Sequence, residues 1–267
     1  MPREILAMLL VSFGSAAQPF TPACPDPSFP FPPPGAPLPI DAECPVSGMP
    51  NQTAAETAQN SAKDNFCARG SAQPITIDQM RELQAKVQAD SHINFGGTRG
   101  HPLSKQPGPT KNRAPLTKLG EGSLRVLEGY VLIARQEGKE KVNCENTPPD
   151  VPASHDIHVS IVGDVSQVHG NECQSVVAEL SPHHRPDSWI EANVQKVALA
   201  HRRIRVTGQL FFDSSHSPCI DGKAEAGDPH RSSLWEIHPV YSFEVCPKDA
   251  CAQGEWASLD QWVKTHP

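Results

Sequence analysis

Histidine and carboxylate recur together in three short phrases of this chain. They are Ser154-His155-Asp156-Ile157-His158, Phe211-Phe212-Asp213-Ser214-Ser215-His216 and Leu234-Trp235-Glu236-Ile237-His238-Pro239-Val240. Imidazoles with a carboxylate can ligate a divalent ion such as zinc, or move protons near neutral pH. Asp213, His216 and His238 are the candidate metal ligands, and such an ion could polarise a phosphate or acyl bond. The competing explanation is structural. Asp213 and His216 can cap the loop that leaves one strand, and His238 can orient the turn before Pro239. No HExxH helix, GxSxG elbow, P-loop or GxGxxG turn is present. No residue is therefore assigned a catalytic role, and no cofactor is expected beyond a divalent metal.

The elements that must position these residues follow from hydrophobic periodicity. Strand-like runs cover Leu124–Ala134, Asp156–Val162, Ser175–Leu180, Arg203–Asp213 and Ser233–Cys246. A helix-like run, Ser188–Ala200, falls between the third and fourth. Five strands with one helix in that slot predict a mostly β fold, an OB-like five-stranded barrel. The strands alternate, as expected of a sheet with one wet face. Ile157, Val159 and Ile161 oppose Asp156, His158 and Ser160; Ile204, Val206, Leu210 and Phe212 oppose Arg205, Thr207, Gln209 and Phe211. In the last strand Trp235, Ile237, Tyr241 and Phe243 are expected inside, with Glu236, His238, Val240 and Glu244 opposite. A ligand on the polar face would meet His158, Arg205, Gln209 and His238. Gly129 and Gly208, inside strands, predict bulges or sharp bends.

Upstream, the apolar run Ile5–Phe13 followed by Gly14-Ser15-Ala16-Ala17 reads as a signal peptide over residues 1–17. It is too short to span a bilayer, and no other stretch is apolar enough. Residues 18–53 are proline-rich and read as an extended, disordered linker. Residues 54–122 read as a helical extension and loop. Its clearest helix starts after the Thr76 cap, with Ile77, Met80, Leu83 and Val87 on one stripe that covers the barrel. The barrel spans 123–247, and 248–267 is a C-terminal tail.

Eight cysteines without a CxxC pair favour disulfides, hence a secreted or periplasmic location. Eight cysteines allow about 105 connectivities. Spacing suggests Cys24 with Cys44, Cys144 with Cys173, and Cys246 with Cys251. The chain carries 23 basic and 30 acidic residues, a net charge of −7. Residues 120–247 hold 11 of the basic and 18 of the acidic ones. That acidity disfavours a nucleic-acid partner held by phosphate neutralisation. Aromatic residues, 6% of the chain, offer little platform for base stacking. His183-His184-Arg185 and His201-Arg202-Arg203, flanking the helix, could meet an anion or simply sit in solvent.

The phrases VTGQLFFDSSH and SLWEIHPVYSFEVC, with DIHVSI and CQSVVAELSP upstream, resemble a group of uncharacterised bacterial proteins expected to be exported. The resemblance covers roughly residues 60–247 and implies an OB-type β-barrel; it implies no activity. The matching positions are Asp156, His158, Cys173, Asp213, His216, Trp235, Glu236, His238 and Pro239. The first functional expectation is a non-catalytic binding module for a small molecule, glycan or protein. The alternative is a metal-dependent hydrolase of phosphate esters or a cell-wall polymer.

Overall fold

The computed structural model describes residues 40, 43–45, 47–68, 70–90, 93, 112–146, 154–183, 185–224 and 229–266. The signal-like segment, Cys24 and most of the proline-rich stretch lie outside them. Five strands form the barrel: β2 (Leu124–Gln136), β3 (Ile157–Val162), β4 (Val176–Leu180), β5 (Arg203–Phe212) and β6 (Trp235–Val245). They follow β1 (Gln73–Ile75), which extends the sheet as a parallel partner of β2. The order β2-β3-β4-β6-β5 closes on itself through β2–β5 pairing. Every barrel contact is antiparallel except β4–β6, which is parallel. The predicted helix is α4 (Glu191–Leu199), between β4 and β5. The expected OB-like barrel is the observed fold.

Closure depends on β2 serving two partners. Its first half pairs with β5 from Leu124 to Tyr130, and its second half pairs with β3 from Tyr130 to Gln136. The strand must coil where it changes partner, and Gly129 sits there. A Cβ on Gly129 would lie 2.5 Å from the Val162 carbonyl oxygen. Gly208 occupies a second tight spot, at register shifts between β5 and β6. A Cβ there would lie 2.4 Å from the Pro239 carbonyl oxygen.

The barrel core contains Ile157, Val159, Ile161, Val176, Ala178, Leu180, Ile204, Val206, Leu210, Phe212, Trp235, Ile237 and Phe243, as strand alternation predicts. One assignment is corrected. Val240 faces the core, while Tyr241 packs outside it with Leu124 and Ala68. The cause is the β5–β6 register shift: Thr207 faces Ser242 but Gly208 faces Val240, so Tyr241 is the extra residue of a bulge.

Among the described residues four further α-helices accompany the barrel besides α4. The first, α1 (Ala54–Lys63), and the second, α2 (Ile77–Ala89), each begin with a capping box, closed by Thr53–Glu56 and Thr76–Gln79. Met80 and Val87 of α2 enter the barrel core. Short α3 (Ala114–Leu119) adds Leu116. The tail is structured as well: β7 (Ala257–Ser258) pairs with β6, and α5 (Leu259–Thr265) buries Leu259 and Trp262 in the same core. Within the stretch read as a linker, Ile40, Cys44 and Met49 pack with Cys144.

The disulfides between described residues are Cys44–Cys144, Cys173–Cys219 and Cys246–Cys251. The last matches expectation. The suggested Cys24–Cys44 and Cys144–Cys173 pairs do not form, because the N-terminal arm folds back onto the β2–β3 loop and Cys144 there takes Cys44. The bonds indicate an oxidising environment. Among the described residues no helix is long and apolar enough to cross a membrane.

Two substitutions test this architecture. Gly208→Ala should destabilise the chain by about 1–3 kcal/mol through overpacking against backbone; an unchanged urea midpoint would contradict the bulge geometry. The Cys44–Cys144 bond spans 100 residues. Replacing both cysteines by serine should lower stability by roughly 2–5 kcal/mol through denatured-state entropy, read by the same titration.

Candidate functional site

The polar face of the barrel is buried. Strand register places His158 of β3 opposite Glu179 of β4. Parallel pairing of Val177 with Glu236, and of Ala178 with Ile237, brings Glu236 and His238 of β6 alongside. These alternate with core residues, so they project from the outer wall. Asp156 stands just before β3, and Asp213 just after β5. The loops between β2 and β3 (residues 137–156) and between β5 and β6 (residues 213–234) flank this wall. That is the ligand position of OB folds, on the strand 2–3 face between the L12 and L45 loops.

The N-terminal arm covers the wall. Gln59, Lys63, Asp64 and Asn65, at the end of α1 and just after it, are all buried. Gln59 donates to Asp213 Oδ1 at 3.2 Å and accepts from Ser214 Oγ at 2.5 Å. Gln209 donates to the Ala62 and His238 carbonyls at 2.7 and 2.8 Å and accepts from Asn65. Tyr241 donates from its hydroxyl to the Asn65 carbonyl at 2.6 Å. Hydrogen bonds to backbone carbonyls at both ends fix the arm in register with β5 and β6.

At the centre lies Glu179, with no exposed surface. Its Oε1 is 2.7 Å from His158 Nε2; its Oε2 is 2.5 Å from His238 Nδ1 and 3.0 Å from Lys63 Nζ. His158 Nδ1 lies 2.7 Å from Glu137 on the L12 loop. Both His158 nitrogens therefore face carboxylates and both must donate, which requires the imidazolium. Burial alone would lower its pKa, but Glu179 and Glu137 outweigh burial and raise it to about 10. Burial likewise opposes ionisation of Glu179, yet His158, Lys63 and His238 hold its carboxyl well below the usual range. Lys63 Nζ also lies 3.1 Å from Glu140 and 3.5 Å from Asp156. Burial raises the Glu140 pKa to about 8, against the pull of Lys63, so Glu140 holds a proton at neutral pH. Glu236 pairs with Arg231, itself without exposed surface.

Asp213 accepts from His216 Nδ1 at 2.6 Å. Burial disfavours the Asp213 anion, but the His216, Lys63 and Arg231 charges keep its pKa far below normal. Asp213, His216 and Lys63 line a cleft of about 230 Å³ with Gln52, Glu56, Gln59, Asn60, Glu140 and Ser215. The cleft is the opening through which solvent approaches the charged layer.

The proposed site residues fall in three places. His158, Gln209 and His238 lie together beneath the arm, with Gln209 committed to holding it. Asp213 and His216 form a hydrogen-bonded pair at the cleft, and His158 and His216 approach edge to face at 6.2 Å. Arg205 stands apart, at the far end of β5, paired with Glu244 at 2.8 Å and covering the Trp256 ring at 4.7 Å. The cations flanking α4 are dispersed into pairs, Arg202 with Asp249 and Arg203 with Glu128. Arg185 is buried on the carbonyls of His155 and Leu180. Lys63, Glu137, Glu140, Glu179 and Arg231 escaped the sequence reading. Glu179 was discoverable: Val177 and Glu179 alternate with Val176, Ala178 and Leu180, so a carboxylate had to lie on the polar face.

Perturbed titrations concentrated beside a cleft characterise functional sites. They also set the pH dependence of folding. The raised His158 pKa contributes stability that is complete below its unfolded value near 6.5 and is lost as pH rises through about 10. Glu140, raised from 4.5 to about 8, has the same sign: its contribution is complete at acid pH and disappears through pH 8. Unfolding free energy should therefore fall steadily from pH 6.5 to 9.5, by at most about 1.4 kcal/mol per pH unit per group, and the melting temperature should fall with it. Glu140→Gln, which mimics the protonated acid, should flatten the lower part of that slope; a profile that rises with pH would contradict the assignment. No protein-family model, curated protein or solved structure matches this chain.

Proposed function

We propose that this chain is an exported, non-catalytic binding module that takes a small polar ligand, of the size and chemistry of a sugar, in the cleft at the edge of the OB face. The observation that carries this reading is the lining of that cleft. Side-chain amides of Gln52, Gln59 and Asn60, the Ser215 hydroxyl, the His216 ring and the Glu140 carboxyl converge on about 230 Å³ between the two loops that OB folds use for ligands. Amide, hydroxyl and imidazole groups of this kind suit a ligand's hydroxyls once they exchange their internal hydrogen bonds for it. The carboxylates behind them repel phosphate, which disfavours nucleic acid. The disulfides favour a secreted or periplasmic site of action, in keeping with the signal-like first residues and the resemblance to exported bacterial proteins. Saturation-transfer NMR against a panel of mono- and oligosaccharides tests it. A bound sugar should shift the His216 ring protons, and Ser215→Trp, which fills the cleft, should abolish the transfer. A panel with no transfer, or transfer insensitive to Ser215→Trp, defeats the proposal.

A second reading, hydrolysis, is favoured by the Asp213–His216 pair. A carboxylate on Nδ1 orients the ring and leaves Nε2 as a general base for water. A divalent ion such as zinc would supply the electrophile. On this reading His216→Ala lowers turnover of a phosphoester or cell-wall substrate by about 10²–10⁴-fold.

A further inference from the structure

We infer that Asp156, Glu179 and His238 form a binding site for one first-row divalent cation, such as zinc or manganese, and that the Lys63 ammonium is its internal occupant when the arm is closed. The inference goes beyond the cleft reading and differs from the Asp213, His216 and His238 set suggested by sequence.

Four observations converge. The three residues come from separate barrel positions, before β3, in β4 and in β6, yet each offers a donor atom within 4.8 Å of the other two. All three have no exposed surface. Their donors are under-used: Asp156 meets only the Glu140 carboxyl and the long 3.5 Å contact from Lys63, and His238 Nε2 makes no hydrogen bond. Fully buried polar atoms left in that state cost free energy, and a metal ion satisfies them. Finally, a cation already stands among these groups. Lys63 Nζ lies 3.0 Å from Glu179, 3.1 Å from Glu140 and 3.5 Å from Asp156.

Charge supports the same conclusion. The buried layer holds the carboxyl groups of Glu137, Glu140, Asp156, Glu179, Asp213 and Glu236 against Lys63, Arg231 and three imidazoles. Six carboxyl groups thus face two permanent cations, a surplus of negative charge that a divalent ion offsets. Two carboxylates with one imidazole form an oxygen-rich nitrogen-oxygen donor set suited to zinc or manganese. Thiolate does not compete, because the described cysteines are disulfide-bonded. The cleft lined by Lys63, Glu140 and Asp213 gives an ion its path inward. The flexible lysine stem lets the ammonium swing into that cleft while α1 stays in place.

Calorimetric titration of the chelator-treated full chain with zinc chloride and manganese chloride at pH 7 is the test. One ion should bind per chain, and Asp156→Asn and His238→Gln should each weaken it by 100-fold or more. Lys63→Met should bind at least tenfold tighter. Its melting temperature, lowered without metal, should rise on metal addition by more than that of the unmodified chain. Two results overturn the inference: no saturable one-to-one binding by either the unmodified chain or Lys63→Met, or equal affinity in Asp156→Asn and His238→Gln, which would put the ion on surface histidines. If Lys63→Met folds only with metal present, recovery of its near-ultraviolet circular dichroism with zinc and not with EDTA supports the site. Failure to recover with zinc overturns it. Sugar binding in the cleft is a separate readout, so either conclusion can fail without the other.

Discussion

The Glu179 carboxylate, sealed from solvent between two imidazoles and an ammonium, is the interaction on which the rest of this molecule depends. A lone carboxylate in that position would be prohibitively unfavourable, and burial of ion pairs rarely adds net stability even when they are matched. The molecule tolerates it because the two neighbouring strands and one helix deliver two imidazoles and an ammonium to within hydrogen-bonding distance. Several features become intelligible as requirements of that arrangement. The strand register must be held to a single residue, since a slip would turn Glu179 into the oily interior. The arm must be pinned at both ends, which Gln209 and the Cys44–Cys144 bond accomplish.

The barrel could be read from the amino-acid order because its signal is local. Alternation in Ile157–Ile161 and Ile204–Phe212, and the placement of α4, are properties of short windows, and the observed strand ends differ from the expected ones by at most two residues. Tyr241 was misplaced because a bulge changes the period by one, and a bulge depends on what the partner strand presents; Gly208 is the visible half of that information. The site was half readable for the same reason. His158, Gln209 and His238 announce themselves as polar members of alternating strands. Lys63 does not, because nothing in a polar, alanine-rich helix states which strand face it will cover. Its partners are far away in sequence, and only the closed barrel brings Asp156, Glu140 and Glu179 to one point.

A sheet with one polar face ordinarily leaves that face to water. Here much of the face is an interior layer, and the cleft lined by Lys63, Glu140, Asp213 and His216 is one place where it meets solvent. This distinguishes two kinds of polar burial in the same molecule. Arg113 with Glu121, close to Phe211 and the Phe212 carbonyl, is fully matched and completes a corner of the fold. The layer around Glu179 is less completely matched, with His238 Nε2 left without a hydrogen bond.

The order of elements along the chain gives the arm a temporal character. Residues 54–65 leave the ribosome well before Asp156, Glu179, Gln209 and Asp213, every one of which they contact. The first helix thus spends most of synthesis without its binding surface, and it can dock only once the fifth barrel strand has closed the ring. Until then an acidic wall is open on one side of a nearly finished barrel, and a basic group waits on a tether at the other end of the molecule. The arm is thus made early, and its partners in the barrel are made late.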